Sequence, residues 1–304
     1  MTAATSPSSS TGVVLAIDAN DYLGETPIWS VPEQALYWIN VENPPRLSRF
    51  DPLTKSRRDW PMPQRLGGVV FTHAGAAIVA LARGLYDLDL STGDLTLRAP
   101  SPLPEHVSLH ECRCDRQGRL WVGAINHRLR ETPELPGGGM LFRLEVDRLV
   151  PEVSGLNCAN GLAFSPDGTR LYLTDSPKRS VESWRIGTDG RLSDRRLFCT
   201  IAPGEGYVDG ATVDSGGSYW ATLVYGSALR CYDEDGAITA HIRLPFGNPT
   251  NVAFGGPDLR TLYITTCKLM PRDGGPLPGS SLLGGVYSMR TVVAGIAEPL
   301  FGSG

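Results

Sequence analysis

Asn160-Gly-Leu-Ala-Phe-Ser-Pro-Asp-Gly168, running on into Leu171-Tyr-Leu-Thr174, reads as a strand, a tight turn closed by Asp-Gly, and a second strand. The pattern recurs in Asp209-Gly-Ala-Thr-Val-Asp-Ser-Gly-Gly217 before Tyr219-Trp-Ala-Thr222, and in His110-Glu-Cys-Arg-Cys-Asp-Arg-Gln-Gly118 before Leu120-Trp-Val-Gly123. Weaker copies run from Gly67 to Gly75 before Ala77-Ile-Val-Ala80, from Glu25 to Trp29 before Leu36-Tyr-Trp-Ile39, and from Thr250 to Phe254 before Leu262-Tyr-Ile-Thr265. A third strand follows each, as in Leu47-Ser-Arg-Phe50 or Leu229-Arg-Cys-Tyr232. Six copies of roughly forty to fifty residues account for nearly all of the 304 residues. A four-stranded unit of that length cannot bury both faces alone, so the units pack radially. The spacing therefore predicts an all-β chain in which residues 13–304 form a single six-bladed β-propeller. An open first or last blade would leave unpaired edges; Val13 to Ile17 and Glu298 to Phe301 are the strands available to close the ring.

Composition agrees. Gly (35) and Pro (24) are abundant without a collagen-like period, which fits many tight turns. The formal charge of −4 comes with no Lys/Arg stripe, which argues against a nucleic-acid or anionic-membrane partner. Six cysteines form no C-x-x-C and frame no zinc knuckle; they read as small hydrophobes of a reducing compartment. Residues 1–12, rich in Ser, Thr, Ala and Pro, read as a disordered tail and not as a signal peptide. No apolar run is long enough to span a bilayer, so the expectation is a soluble, cytoplasmic protein, monomeric or weakly self-associating.

In a propeller the first strand of each blade lines the central channel, and the residues at its start ring one mouth. The position eight before the turn glycine, or its aligned equivalent, selects Glu25, Gly67, His110, Asn160, Asp209 and Thr250. Carboxylates crowded at an axis repel one another and are costly to desolvate, and a bound cation removes both problems. Glu25, Asp209 and the Asn160 carbonyl are hard oxygen donors suited to Ca²⁺, Mg²⁺ or Mn²⁺; a histidine ligand would shift preference toward Zn²⁺, Fe²⁺ or Mn²⁺.

Leu23-Gly-Glu-Thr-Pro-Ile-Trp-Ser30 with Glu33-Gln-Ala-Leu-Tyr-Trp38, Asn160-Gly161, Phe164-Ser-Pro-Asp-Gly168, Asp209-Gly210 and Phe254-Gly-Gly256 resembles the regucalcin and gluconolactonase (senescence-marker-protein-like) family, over about Asp18 to Tyr287. The resemblance implies a six-bladed propeller, one divalent metal (Ca²⁺ first) held by Glu25, Asn160 and Asp209, and hydrolysis of a small lactone, a sugar-acid lactone above all. The substrate side departs from the family pattern. Ser108 stands where the family carries an Arg, His110 where it carries an Asn, and Arg128 where it carries an acidic residue; Ser108, His110, Glu111 and Arg128 form the expected substrate shell. In the mechanism this implies, the metal polarises the lactone carbonyl and Asp209 takes the proton of the attacking water. His110 is the alternative base, on the ground that a histidine titrates near neutrality.

Loops between second and third strands should cover the site mouth. The longest are Asn126 to Gly139 and Lys268 to Gly284, which offer His127, Arg128, Arg130, Lys268 and Arg272 to an anionic or polyhydroxyl ligand. No G-x-S-x-G occurs, so a serine-hydrolase elbow is excluded. Two other functions fit the same scaffold: metal-assisted hydrolysis of a phosphotriester or aromatic lactone, and metal or ligand binding without catalysis.

Overall fold

Each repeat becomes an antiparallel four-stranded sheet, and six such sheets stand around one axis. The protein is described from a computed structural model covering residues 12–130, 137–270 and 278–302. The chain opens with β1 (Val14–Ile17). Blade one is β2 (Gly24–Ser30), β3 (Ala35–Asn40), β4 (Arg46–Phe50) and β5 (Arg57–Pro61); blade two is β6 (Leu66–Phe71), β7 (Ala77–Leu81), β8 (Gly84–Leu88) and β9 (Leu95–Pro100). Blade three is β10 (Val107–Cys114), β11 (Leu120–Asn126), β12 (Gly139–Glu145) and β13 (Arg148–Leu156); blade four is β14 (Ala159–Phe164), β15 (Arg170–Asp175), β16 (Ser180–Ile186) and β17 (Leu192–Thr200). Blade five is β18 (Tyr207–Val213), β19 (Tyr219–Val224), β20 (Ala228–Tyr232) and β21 (Ile238–Arg243), and blade six holds β22 (Pro249–Gly255), β23 (Thr261–Thr266) and β24 (Val286–Arg290).

Burial explains the sequence pattern strand by strand. The second strands β3 and β7 are buried at every residue, because adjacent blades cover both faces, so they read as continuous apolar runs. The outer strands β5 and β21 are mostly exposed and correspondingly polar. Among the described residues the apolar side chains gather in six clusters, one at each blade–blade interface. Tyr37 and Leu47 of blade one pack with Val69 and Val79 of blade two, and Trp29 of blade one stacks on Tyr263 of blade six, ring centroids 5.8 Å apart. All six cysteines are buried, and none forms a disulfide. No helix among the described residues is long and apolar enough to cross a membrane.

The ring is closed by β1 alone. It pairs antiparallel with β24 and supplies the outermost strand of blade six. Glu298 to Phe301, expected to share that task, does not enter the blade-six sheet: β1 already holds the free edge of β24, and Pro299 has no N–H to donate. Instead Phe301 forms one parallel bridge with Thr72 of blade two.

The hairpin between first and second strands is fixed by an aspartate. Asp214 accepts the N–H of Gly216 (2.8 Å) and Ser218 (3.0 Å) at Oδ1 and the Trp220 indole N–H at Oδ2 (2.8 Å). Asp115 does the same for Gln117, Arg119 and Trp121. Asp214 is 2% exposed, so Asp214→Ala strands three donors away from water. That substitution is expected to cost about 2–4 kcal/mol of stability, read as a lower denaturant midpoint with unchanged slope.

Candidate active site at the channel mouth

Pairing between first and second strands breaks register once in every blade, always at the same height. The breaks fall between Glu25 and Ile28, Leu66 and Gly68, Leu109 and Cys112, Asn160 and Ala163, Val208 and Ala211, and Pro249 and Val252. These are the positions the repeat alignment selects. A bulge frees side chains from the alternation of the strand and re-aims them, which is why bulges cluster beside sites. Thr26, immediately after Glu25, sits at φ 45°, a left-handed conformation that a β-branched residue adopts only under constraint.

The breaks bring Glu25, His110, Glu111, Asn160 and Asp209 together. Asn160 Nδ2 donates to Asp209 Oδ1 (2.9 Å) and to Ser176 Oγ (2.9 Å). Glu25 Oε2 accepts Asn251 Nδ2 (2.9 Å) and the Thr26 N–H (3.1 Å). Glu111 Oε2 accepts the Leu162 N–H (2.9 Å), which ties blade three to the break just after Asn160. Glu111 Oε1 and His110 Nδ1 are buried without a partner.

Two of the six aligned positions contribute no side chain to the axis. Gly67 lies under blade three: a Cβ there would stand 2.6 Å from the Leu109 carbonyl oxygen, so the close approach of β10 requires glycine. Thr250 spends its hydroxyl on the Gly24 carbonyl and on Thr265. Blade six instead sends in Asn251, one residue later, which the alignment missed. A Cβ on Gly210 would fall 2.0 Å from the Asn251 carboxamide, so Gly210 makes room for the amide that holds Glu25. Arg65 was missed as well: it lies just before β6, 15% exposed, and pairs with Glu42 at 3.6 Å. The only signal for either was a polar residue within two positions of an aligned one.

The expected substrate shell divides. Glu111 and His110 line the axis, while Ser108 is buried and bound to His127 Nε2 (2.6 Å). Arg128 is exposed, in a one-turn 3-10 helix (His127–Arg130) that follows β11 and is anchored by its N–H to Asn126 Oδ1. Lys268 is tied to Asn20 at the surface. Arg272 and the Arg130 side chain lie outside the described residues, as do residues 1–11 of the N-terminal segment.

Electrostatics follow from burial. Burial pushes the Glu111 carboxyl up to about 8, against the pull of Arg113. Burial also raises Glu25, in spite of the donors Asn251 and Thr26. At Asp209 burial, then the charges of Glu25 and Glu111, hold the carboxyl well above the usual range. His110 does not keep the near-neutral titration expected of it. Burial and then the Arg65 guanidinium push it down to about 3, which favours the neutral imidazole.

Among the described residues no three His, Cys, Asp or Glu side chains group as metal ligands. The candidate set is two carboxylates and an amide, and it fits a hard divalent cation. Burial raises the cost of ionising Glu25 and Asp209, and the charge of Glu25 adds to that of Asp209, an arrangement that a dication relieves.

Residues 23–268 match the family model described as the SMP-30/gluconolactonase/LRE-like region. The chain is 38% identical to a 6-deoxy-6-sulfogluconolactonase of Pseudomonas putida, over 92% of this chain and 94% of that protein. It is 30% identical to an L-arabinolactonase of Azospirillum brasilense, over 94% of each. Among solved structures, a luciferin-regenerating enzyme superposes with a TM-score of 0.87 at 25% identity, over 95% of this chain and 99% of that one. With most of its length matched by both sequence and fold, the chain belongs to the SMP-30/gluconolactonase/LRE-like family.

Proposed function

We propose that the channel mouth hydrolyses a sugar lactone to its open-chain acid, with a divalent cation, Ca²⁺ first, held by Glu25, Asn160 and Asp209. The observation that carries this reading is the meeting of these three side chains at matching breaks in blades one, four and five. The likeness to lactonases over nearly the whole chain supports it. A cation bound there would polarise the lactone carbonyl and acidify a water. The chain's own part centres on Asp209. Asn160 holds Oδ1, which leaves Oδ2 to take the proton of the attacking water. The acyl C–O bond then breaks, and the ring oxygen leaves with that proton. His110, neutral and buried, stands beside Asn160 and lines the axis next to the sugar's place. Arg128 lies on the exposed rim where the ring hydroxyls dock, and Ser108 holds the neighbouring His127 from below.

The test is a pH-indicator hydrolysis screen over aldonolactones, with chelator and with single divalent ions restored. Acid release that is lost to chelator and regained with one ion supports the reading. Metal uptake with no acid release from any lactone would make the protein a binding propeller instead. Asn251 orients Glu25 without reaching the substrate, so Asn251→Ala is expected to weaken metal binding about 10-fold or more. Calorimetric titration of the metal-stripped protein checks this independently of turnover.

A further inference from the structure

On the face opposite the site, beneath the turns Ser30–Glu33 and Thr72–Gly75, blades one, two and three enclose a cavity of about 440 Å³. That volume lies in the range of small-molecule sites, roughly 300–1,000 Å³. Its walls are largely apolar, with Ile28, Val69 and Phe71 facing Pro299 and Leu300 of the C-terminal segment. That segment is strapped across the mouth by Arg116 to the Ala297 carbonyl (3.3 Å), the Phe301 N–H to the Phe71 carbonyl (2.8 Å) and the Gly302 N–H to the Gly118 carbonyl (3.0 Å).

One feature points to the chemistry of a ligand. Arg113, 9% exposed, lines the cavity, and its ion-pair partner is Glu298 of the strap, at 3.4 Å from Nη1 to Oε1. Charge-assisted guanidinium–carboxylate bonds run at about 2.7–2.9 Å and are often bidentate, so this buried fork is filled loosely and suits a competing carboxylate.

We propose that this far mouth is a second small-molecule site, for a carboxylic acid with a compact apolar body, and that Glu298 is the tethered carboxylate such a ligand displaces. The acid group takes the Arg113 fork, and the apolar body fills the wall between blades one and two. The site is separate from the lactone site and does not depend on the lactonase reading.

Calorimetric titration of the full chain with benzoate, and with benzamide as its neutral isostere, tests this. Benzoate is expected to bind, with benzamide about tenfold weaker or worse. Glu298→Gln removes the competitor and is expected to tighten benzoate about three- to tenfold, with lactone turnover unchanged. Arg113→Met is expected to abolish binding at a retained melting temperature; should it fail to fold, the Glu298→Gln comparison decides alone. Benzoate binding should survive in Asp209→Asn, which separates the far mouth from the lactone site. No benzoate binding, equal affinity for benzamide, an unchanged affinity in Glu298→Gln, or loss of binding in Asp209→Asn would each overturn the proposal.

Discussion

Asp209→Asn is expected to lower kcat/KM for a sugar lactone by about 10³-fold or more, and added metal is not expected to restore it. Asparagine keeps the shape and can keep the contact with Asn160, but an amide cannot accept the proton of the attacking water. Glu25→Gln should behave differently. The substituted amide would still fit beside Asn251, so the loss there is chiefly of metal affinity, and high ion concentration should recover part of the turnover. The same reasoning sets the direction of the stability change. The Asp209 carboxyl is held well above its usual range by burial and by Glu25 and Glu111, so its charge strains the folded state. Removing that charge should leave the metal-free protein as stable as the wild type or more so, a trade of function against stability common at active sites. Steady-state kinetics at saturating metal, with thermal melts in chelator, read both effects. An active Asp209→Asn enzyme would remove Asp209 from the role of base.

The second large effect concerns pH and metal together. A carboxyl whose folded value lies above its ordinary one holds its proton longer in the folded state than in the unfolded chain. Stability of the metal-free protein is therefore full below about 4.5, the ordinary glutamate value, and is lost as pH rises toward the folded value, about 8 for Glu111. Each such carboxyl contributes a loss of about 1.4 kcal/mol per pH unit across that window. Glu25 and Asp209 move in the same direction. A divalent cation favours the ionised forms, so its stabilising effect should grow over the same interval. Melts in chelator and in Ca²⁺ at pH 5, 6.5 and 8 are expected to diverge steadily. A chelated protein that grew more stable toward pH 8 would mean that these carboxyls do not crowd one another.

The ring of blades was legible because turn glycines and apolar second strands repeat with the chain. The places of Asn160 and Asp209 were legible because a fixed offset from those glycines marks the mouth, and that of Glu25 because it is their aligned equivalent in blade one. Asn251 escaped because the offset names one residue, whereas the break in blade six leaves both Thr250 and Asn251 outside the pairing, and packing against Gly24 decides which turns inward. Gly67 carried no readable signal, since the close approach of a neighbouring blade is not encoded locally. The behaviour of His110 depends on burial at the axis and on Arg65, neither of which residue type reveals.

Blade six is assembled from both ends of the polypeptide, with β1 laid on β24 across nearly the full chain length. During synthesis β1 therefore leaves the ribosome long before its partner exists, and its edge must wait while five other sheets form. Contacts of such sequence separation close late and slow folding. A cut that removed β24 would cost more than its own residues, since it would also leave β1 without a partner.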